Sequence, residues 1–328
     1  MKKVLFFAAS AIALFASCQK TEVNYVGEPQ EIAFFAVNKT ATKAPVDGVT
    51  FPDDNMQVAA YLASGGTATG NFFNQTEFTK QTQNGQTVWT GSRYWPVTGA
   101  IVNFLAVSEP ATANQTLVST QFGTTNFAET ATVELGDNST ALYDLMYAVG
   151  QGTCAPANYP TVDMQFRHAL TWLKFQAKAT QGAVKINSIK LNNIAVAGKL
   201  TVDNSANYNK ADLVTTADAT VRASWTNTSD GEFTIYGSTN LTQSLTTEYS
   251  DCGNLLVIPE LDVQVRTCTI NYTLTNGTTQ TTYNQTFEIN TTLDMAKRYL
   301  YQITFNVNEI TITPIVKDWT EAESTPQL

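Results

Sequence analysis

From residue 31 onward, short apolar runs recur at intervals of about ten to fifteen residues, separated by Gly, Asn, Asp or Pro. No stretch of helical length keeps an apolar stripe at i, i+3 and i+4, so the pattern predicts strands and not helices. Strands are expected over 31–37, 56–62, 71–78 and 86–90, with a turn at Asn84-Gly85. Residues 100–107 are apolar nearly throughout and predict a central strand covered on both faces. Residues 141–149 cluster apolar side chains without alternation and read as a helical or irregular connection. Residues 166–177 read as one long strand, followed by strands at 184–192, 232–236, 255–258 and 263–274. The pair Asn276-Gly277, between alternating runs, predicts a hairpin returning through 282–289. Strands at 299–307 and 310–316 complete the series.

This rhythm predicts an all-β fold of two antiparallel β-sandwich domains in tandem, 31–160 and 161–328. The boundary is placed in the proline-containing stretch 154–160, because both halves open with a short apolar strand, a loop and an alternating strand.

Composition supports a β-rich surface. Hydrophobic residues make up 43% of the 328 positions and charged residues only 14%, so the polar surface must be built largely from Thr, Asn, Gln and Ser. Thr fits a pleated sheet and Asn fits turns. The net charge of −9 excludes nucleic acid as a partner, since phosphate binding requires a cationic footprint. It equally disfavours a polybasic contact with anionic lipid.

The N-terminus carries the most specific signal. Lys2 and Lys3 precede an apolar run over 4–15, which ends in Phe15-Ala16-Ser17-Cys18. The run has signal-peptide length and is too short to cross a bilayer comfortably. Small residues directly before Cys18 resemble a bacterial lipobox, in which the thiol is acylated and the signal removed. Residues 1–17 are then the signal peptide and 18–30 a lipidated tether to a membrane.

Catalytic chemistry finds no purchase. The single histidine, His168, lies in an apparent strand with no acid two or four residues away, and reads as structural. Asp53-Asp54 lie in a loop and Glu321 and Glu323 in the tail; neither set has the spacing of a calcium loop or the setting of a glycosidase pair. There is no Gly-x-Ser-x-Gly elbow and no phosphate-cradling glycine loop, so no enzyme, cofactor or metal is expected. Cys154, Cys252 and Cys268 are an odd set matching no zinc motif. Cys252 and Cys268 either pair in an oxidising compartment or stay as buried free thiols. Trp89, Tyr94 and Trp95 cluster closely enough to stack on a sugar ring, or to seal a core.

Taken in order, several segments resemble the fimbrillin families of Bacteroidia, which include the subunits of type V pili. They are the lipobox at Cys18, Ile32-Ala33-Phe34-Phe35, Thr42-Lys43-Ala44, Tyr94-Trp95-Pro96, Val102-Asn103-Phe104 and Asp144-Leu145-Met146-Tyr147-Ala148. They continue with the segment 166–175, Leu256-Val257-Ile258-Pro259, Tyr299-Leu300-Tyr301-Gln302-Ile303 and Trp319. The resemblance implies two transthyretin-like sandwich domains and a structural or adhesive subunit of a surface fimbria, exported as a lipoprotein. It implies cleavage in the loop behind the first strand, carried here onto Lys43, where many family members have Arg. The released strand would carry Ile32, Phe34 and Val37. A strand from another subunit would fill the groove, and Ile310, Ile312 and Ile315 mark the candidate donor, which Pro314 confines to a sheet edge. Expected partners are other fimbrial subunits, identical or different, the outer membrane through lipid, and a host or bacterial surface ligand. The family's glycine before the Tyr-x-Tyr strand is replaced by Ala296. A glycan-binding surface lipoprotein, using Trp89, Tyr94 and Trp95, is the alternative reading.

Overall fold

A computed structural model describes residues 30–38, 55–64, 67–96, 99–109, 119–121, 132–134, 145–155, 159–202, 223–235, 244–260, 265–306 and 310–318. Among these residues every regular element is a strand or a turn, as the alternation predicts. The first set of strands is β1 (Glu31–Asn38), β2 (Asn55–Ser64), β3 (Thr67–Gln83), β4 (Gln86–Tyr94) and β5 (Ile101–Glu109). A small pair, β6 (Ser119–Gln121) and β7 (Thr132–Glu134), is followed by β8 (Met146–Thr153) and β9 (Val162–His168). The second set is β10 (Thr171–Ala179), β11 (Ala183–Val202), β12 (Ala223–Ile235), β13 (Ser250–Val257), β14 (Arg266–Asn276), β15 (Thr279–Ile289), β16 (Lys297–Phe305) and β17 (Ile310–Asp318).

Seven strands of the first set close into a ring in the order β1-β4-β3-β2-β5-β8-β9, with β9 bonded back to β1. Six of the seven pairings are antiparallel, and β1 with β9 is parallel. An odd-membered ring cannot alternate direction all the way round, so one parallel seam is a necessity of closure. The second set forms two facing sheets, β13-β10-β16-β17 and β12-β11-β14-β15. Here too one pair, β10 with β16, runs parallel.

Two expectations fail locally. The irregular connection expected over 141–149 is strand from Met146 onward, because β8 needs both its faces apolar: Met146 and Ala148 point into the ring core and Tyr147 points out of it. The single long strand expected over 166–177 is two strands. The chain breaks at Ala169-Leu170, where the Ala169 N–H donates to Leu145 O at 2.8 Å and Leu170 O accepts from Ala296 N at 3.0 Å. Both residues are fully buried, so an uninterrupted apolar run conceals a change of sheet.

Three apolar clusters hold the molecule. One fills the ring, around Phe34, Phe78, Phe104 and Trp95. A second lies between the facing sheets, around Phe175, Ile189, Ile270 and Tyr301. The third joins the two, uniting Tyr61, Leu105 and Tyr147 with Trp172, Leu200 and Ile258. β5 serves two of these cores, since Val102, Phe104 and Ala106 face into the ring while Leu105 and Val107 face the joint. The double coverage expected of this strand arises in that way.

The hairpin signals resolve into two turn types. Gln83 pairs with Gln86, leaving Asn84 and Gly85 as a two-residue loop with φ of +52° and +77°, the signature of a type I′ turn. Asn276 instead pairs with Thr279, so Gly277-Thr278 is the loop and Gly277 alone has positive φ, at +61°. Positive φ at the first central position alone is type II′, which calls for glycine there.

Ala296 occupies a glycine position. Its φ is +57°, where an L-residue crowds its own carbonyl at a cost of about 1–2 kcal/mol, yet the turn into β16 is kept. Ala296→Gly removes that strain and regains unfolded-state entropy that opposes folding by about 0.4–1 kcal/mol, leaving a net gain. The expected result is a melting temperature higher by about 2–4 °C, read by circular dichroism.

Candidate assembly site

β1 is the element whose role the remaining structure constrains most. It is hydrogen-bonded on both sides, antiparallel to β4 and parallel to β9, in a register that sets Phe34 against Trp89 and Val162. Ile32, Phe34 and Ala36 alternate into the ring core and are 0%, 0% and 3% exposed. The Phe34 ring meets Phe78 edge-on at 4.8 Å and Phe104 at 5.0 Å. Val37 continues the strand opposite Gln165. At the entry, the Trp95 N–H donates to Gln30 O at 3.0 Å, and the Ser92 N–H donates to the Glu31 carboxylate at 2.9 Å.

Removing this strand would therefore expose two unpaired strand edges, on β4 and β9, and an apolar slot lined by Phe78, Phe104, Met164 and Phe166. Alternation identified the inward-facing residues of β1; the residues that surround them come from three other strands, β3, β5 and β9, and carry no common sequence signal.

Among the described residues the candidate donor β17 lies at the edge of its sheet, paired with β16 alone, where Pro314 does no harm to the ladder. Ile310 and Ile312 are half-buried against the core between the sheets. Ile315 does not share their face: side chains alternate, so Pro314 follows Ile312 in phase and Ile315 points to the opposite side. The spacing of Ile310, Ile312 and Pro314 matches that of Ile32, Phe34 and Ala36. Cys18, Lys43, Asp53, Asp54, Trp319, Glu321 and Glu323 lie outside the described residues.

The tryptophans do not form a sugar platform. Trp89 and Trp95 are 0% and 1% exposed; Lys80 Nζ lies over the Trp89 ring at 5.7 Å and Trp95 packs edge-on against Phe104 at 5.8 Å, so neither ring offers a face to a sugar. Trp95 also covers Gly152, where a Cβ would overlap its ring. Only Tyr94, 46% exposed, reaches solvent.

His168 ends β9 as a buried residue opposite Met146. Among the described residues no three His, Cys, Asp or Glu side chains come together as a metal site would require. Cys154, Cys252 and Cys268 are buried free thiols. Cys252 and Cys268 sit on strands of opposite sheets, which do not pair with each other. Burial pushes both thiols up to about 12, helped at Cys252 by the charge of Asp251. Burial likewise raises the Tyr299 phenol to about 12. These groups keep their protons when folded and lose them near 9 to 10 when unfolded, so the folded state binds more protons between about pH 9 and 12. Stability is therefore full below pH 9 and falls as pH rises through that window, which urea titrations at increasing alkalinity will register as a falling midpoint.

Comparison with known proteins sets this geometry in context. No curated protein sequence matches the chain. Among solved structures, a fimbrial protein from Bacteroides vulgatus superimposes with a TM-score of 0.56 at 16% identity, covering 88% of this chain and 99% of that one. A candidate cell adhesion protein from Bacteroides ovatus gives 0.52 at 17% identity, covering 89% and 98%. Another from Bacteroides uniformis gives 0.50 at 17%, covering 88% and 98%. At such identities the likeness is one of fold. The model of the fimbrillin-like family matches residues 42–319, which is most of the polypeptide, and the chain belongs to that family.

Proposed function

We propose that the protein is a structural or adhesive subunit of a surface fimbria, exported as a lipoprotein on Cys18 and assembled by strand exchange. Cleavage after Lys43 frees β1, and β17 of another copy or of a related subunit takes its place between β4 and β9. The observation that carries this reading is the position of β1, an eight-residue strand bonded on both sides with Ile32 and Phe34 at 0% exposure. Its departure creates a demand for backbone hydrogen bonds and apolar side chains that a strand of matching spacing meets. An open edge left unfilled would aggregate. We further propose two units joined at Ala169-Leu170, since strand pairing keeps 162–168 with the ring. The lipid and the assembled fibre place the subunit at the outer membrane and cell surface.

The test is to express residues 19–328, digest gently with a protease cutting after Lys and Arg, and follow size by chromatography and electron microscopy. The expected outcome is a new N-terminus at Ala44 and growth of filaments, with no growth when residues 308–328 are deleted. Cleavage at Lys43 that leaves the full-length partner monomeric sinks strand exchange.

A further inference from the structure

β15 forms the edge of its sheet and is exposed from Thr279 to Thr286, which leaves part of the inner face of the β14–β15 hairpin open. Phe287 on that face is packed against the core, whereas Tyr283, four residues earlier and on the same side, is 42% exposed. The uncovered stretch borders a cleft of about 640 Å³, closed on its far side by Phe305 and by Ile310 of β17. That volume lies within the range of small-ligand sites.

The lining has a definite chemistry. Tyr272 and Tyr283 are cross-strand partners whose rings stack at 5.4 Å with an interplanar angle of 24°, and Tyr272 is braced from behind by Phe305 at 5.0 Å. Around this aromatic floor stand amide side chains, among them Gln285, Asn276 and Asn306. The Asn306 amide oxygen accepts from the Thr180 hydroxyl at 2.8 Å, which leaves its NH2 group available to a ligand. Among the described residues no Asp, Glu, Lys, Arg or His lines the cleft.

We infer that this cleft binds an uncharged glycan. The negative face of a tyrosine ring attracts the partially positive C–H groups on one side of a pyranose, while amides donate to and accept from its hydroxyls. A charged sugar or an acidic or basic peptide would lose hydration here without a counter-charge to replace it. The site is separate from the groove of β1 and is complete in the uncleaved monomer, in which β17 supplies its wall. Testing it on that monomer therefore leaves the outcome independent of strand exchange.

The experiment incubates the monomeric chain of residues 19–328 with immobilised neutral polysaccharides (glucans, mannans, galactans and N-acetylglucosamine polymers) and with sialylated and sulfated ones. Retention on at least one neutral polymer is expected, with affinity lost about tenfold or more in Tyr283→Ala and largely kept in Tyr283→Phe, because stacking needs the ring and not the hydroxyl. Gln285→Ala is expected to weaken binding several-fold. Near-UV circular dichroism confirms that each variant is folded. Binding to anionic glycans alone, binding to none, or neutral binding that Tyr283→Ala leaves unchanged overturns the inference. So does a Tyr283→Ala variant that loses only self-association, which would assign the cleft to a second copy of the chain.

Discussion

Arg266→Met is expected to cost about 3–5 kcal/mol of folding stability, because it strands a carboxylate in the interior. Arg266 and Glu260 form a buried pair with side chains 0% and 6% exposed. The guanidinium donates to Glu260 through Nε at 2.8 Å and Nη2 at 2.5 Å, and through Nη1 to Thr291 O at 2.7 Å. The other Glu260 oxygen accepts the Ala195 N–H at 2.6 Å, and the Glu260 backbone exchanges two hydrogen bonds with Leu293. The pair thus ties together the start of β14, the segment after β15 and the irregular middle of β11.

That middle is where β11 changes allegiance. Its buried residues up to Ile194, and half-buried Val196, pack between the two sheets, whereas Ala195, Leu200 and Val202 pack in the joint with the ring. The register against β12 shifts three times there, between 192 and 194, between 195 and 197 and between 197 and 198. Loosening the pair should therefore weaken both the sandwich and its contact with the ring. Urea denaturation of Arg266→Met will show a lower midpoint. The double variant Glu260→Gln with Arg266→Met should recover part of the loss, since the amide oxygen can still receive Ala195 without an uncompensated charge. A cost below about 1 kcal/mol, with no recovery in the double variant, would show the pair to be dispensable.

Phe34→Ala is expected to destabilise the uncleaved chain by about 3–5 kcal/mol, the range for deleting a fully buried phenylalanine. The cavity would lie between Phe78 and Phe104, whose rings are held in place by closed strands and cannot collapse far. The same substitution separates the proposed states of the protein. If β1 is discarded on assembly, filaments grown from cleaved Phe34→Ala chains should match wild-type filaments in stability, while the precursor is weakened. Equal weakening of both would mean that β1 stays in the fibre.

Aromatic residues mark both what alternation reveals and what it conceals. Trp89 and Trp95 were conspicuous in sequence but serve as core, since alternation brings both into the ring. Tyr272 and Tyr283 carry no sequence signal, because each is an ordinary strand residue until the hairpin sets them side by side. The Glu260–Arg266 pair was equally silent: two opposite charges six positions apart are commonplace, and only burial distinguishes them.

What the amino-acid order determined by itself was local and periodic. Two-residue alternation specified strands such as β1 and β16, and Gly85 and Gly277, each after an Asn, marked the two hairpin tips. The same alternation selected Ile32 and Phe34 as inward-facing. Those properties depend on neighbours within a few positions, where side-chain direction follows from backbone geometry. Tertiary structure alone decided the break at Ala169-Leu170, the closure of seven strands through one parallel seam, the second face of β5 and the exposure of β15 at its sheet's edge. Each of these depends on which distant strand competes for a given backbone edge or apolar face. Periodicity records that a face is apolar but not what will cover it.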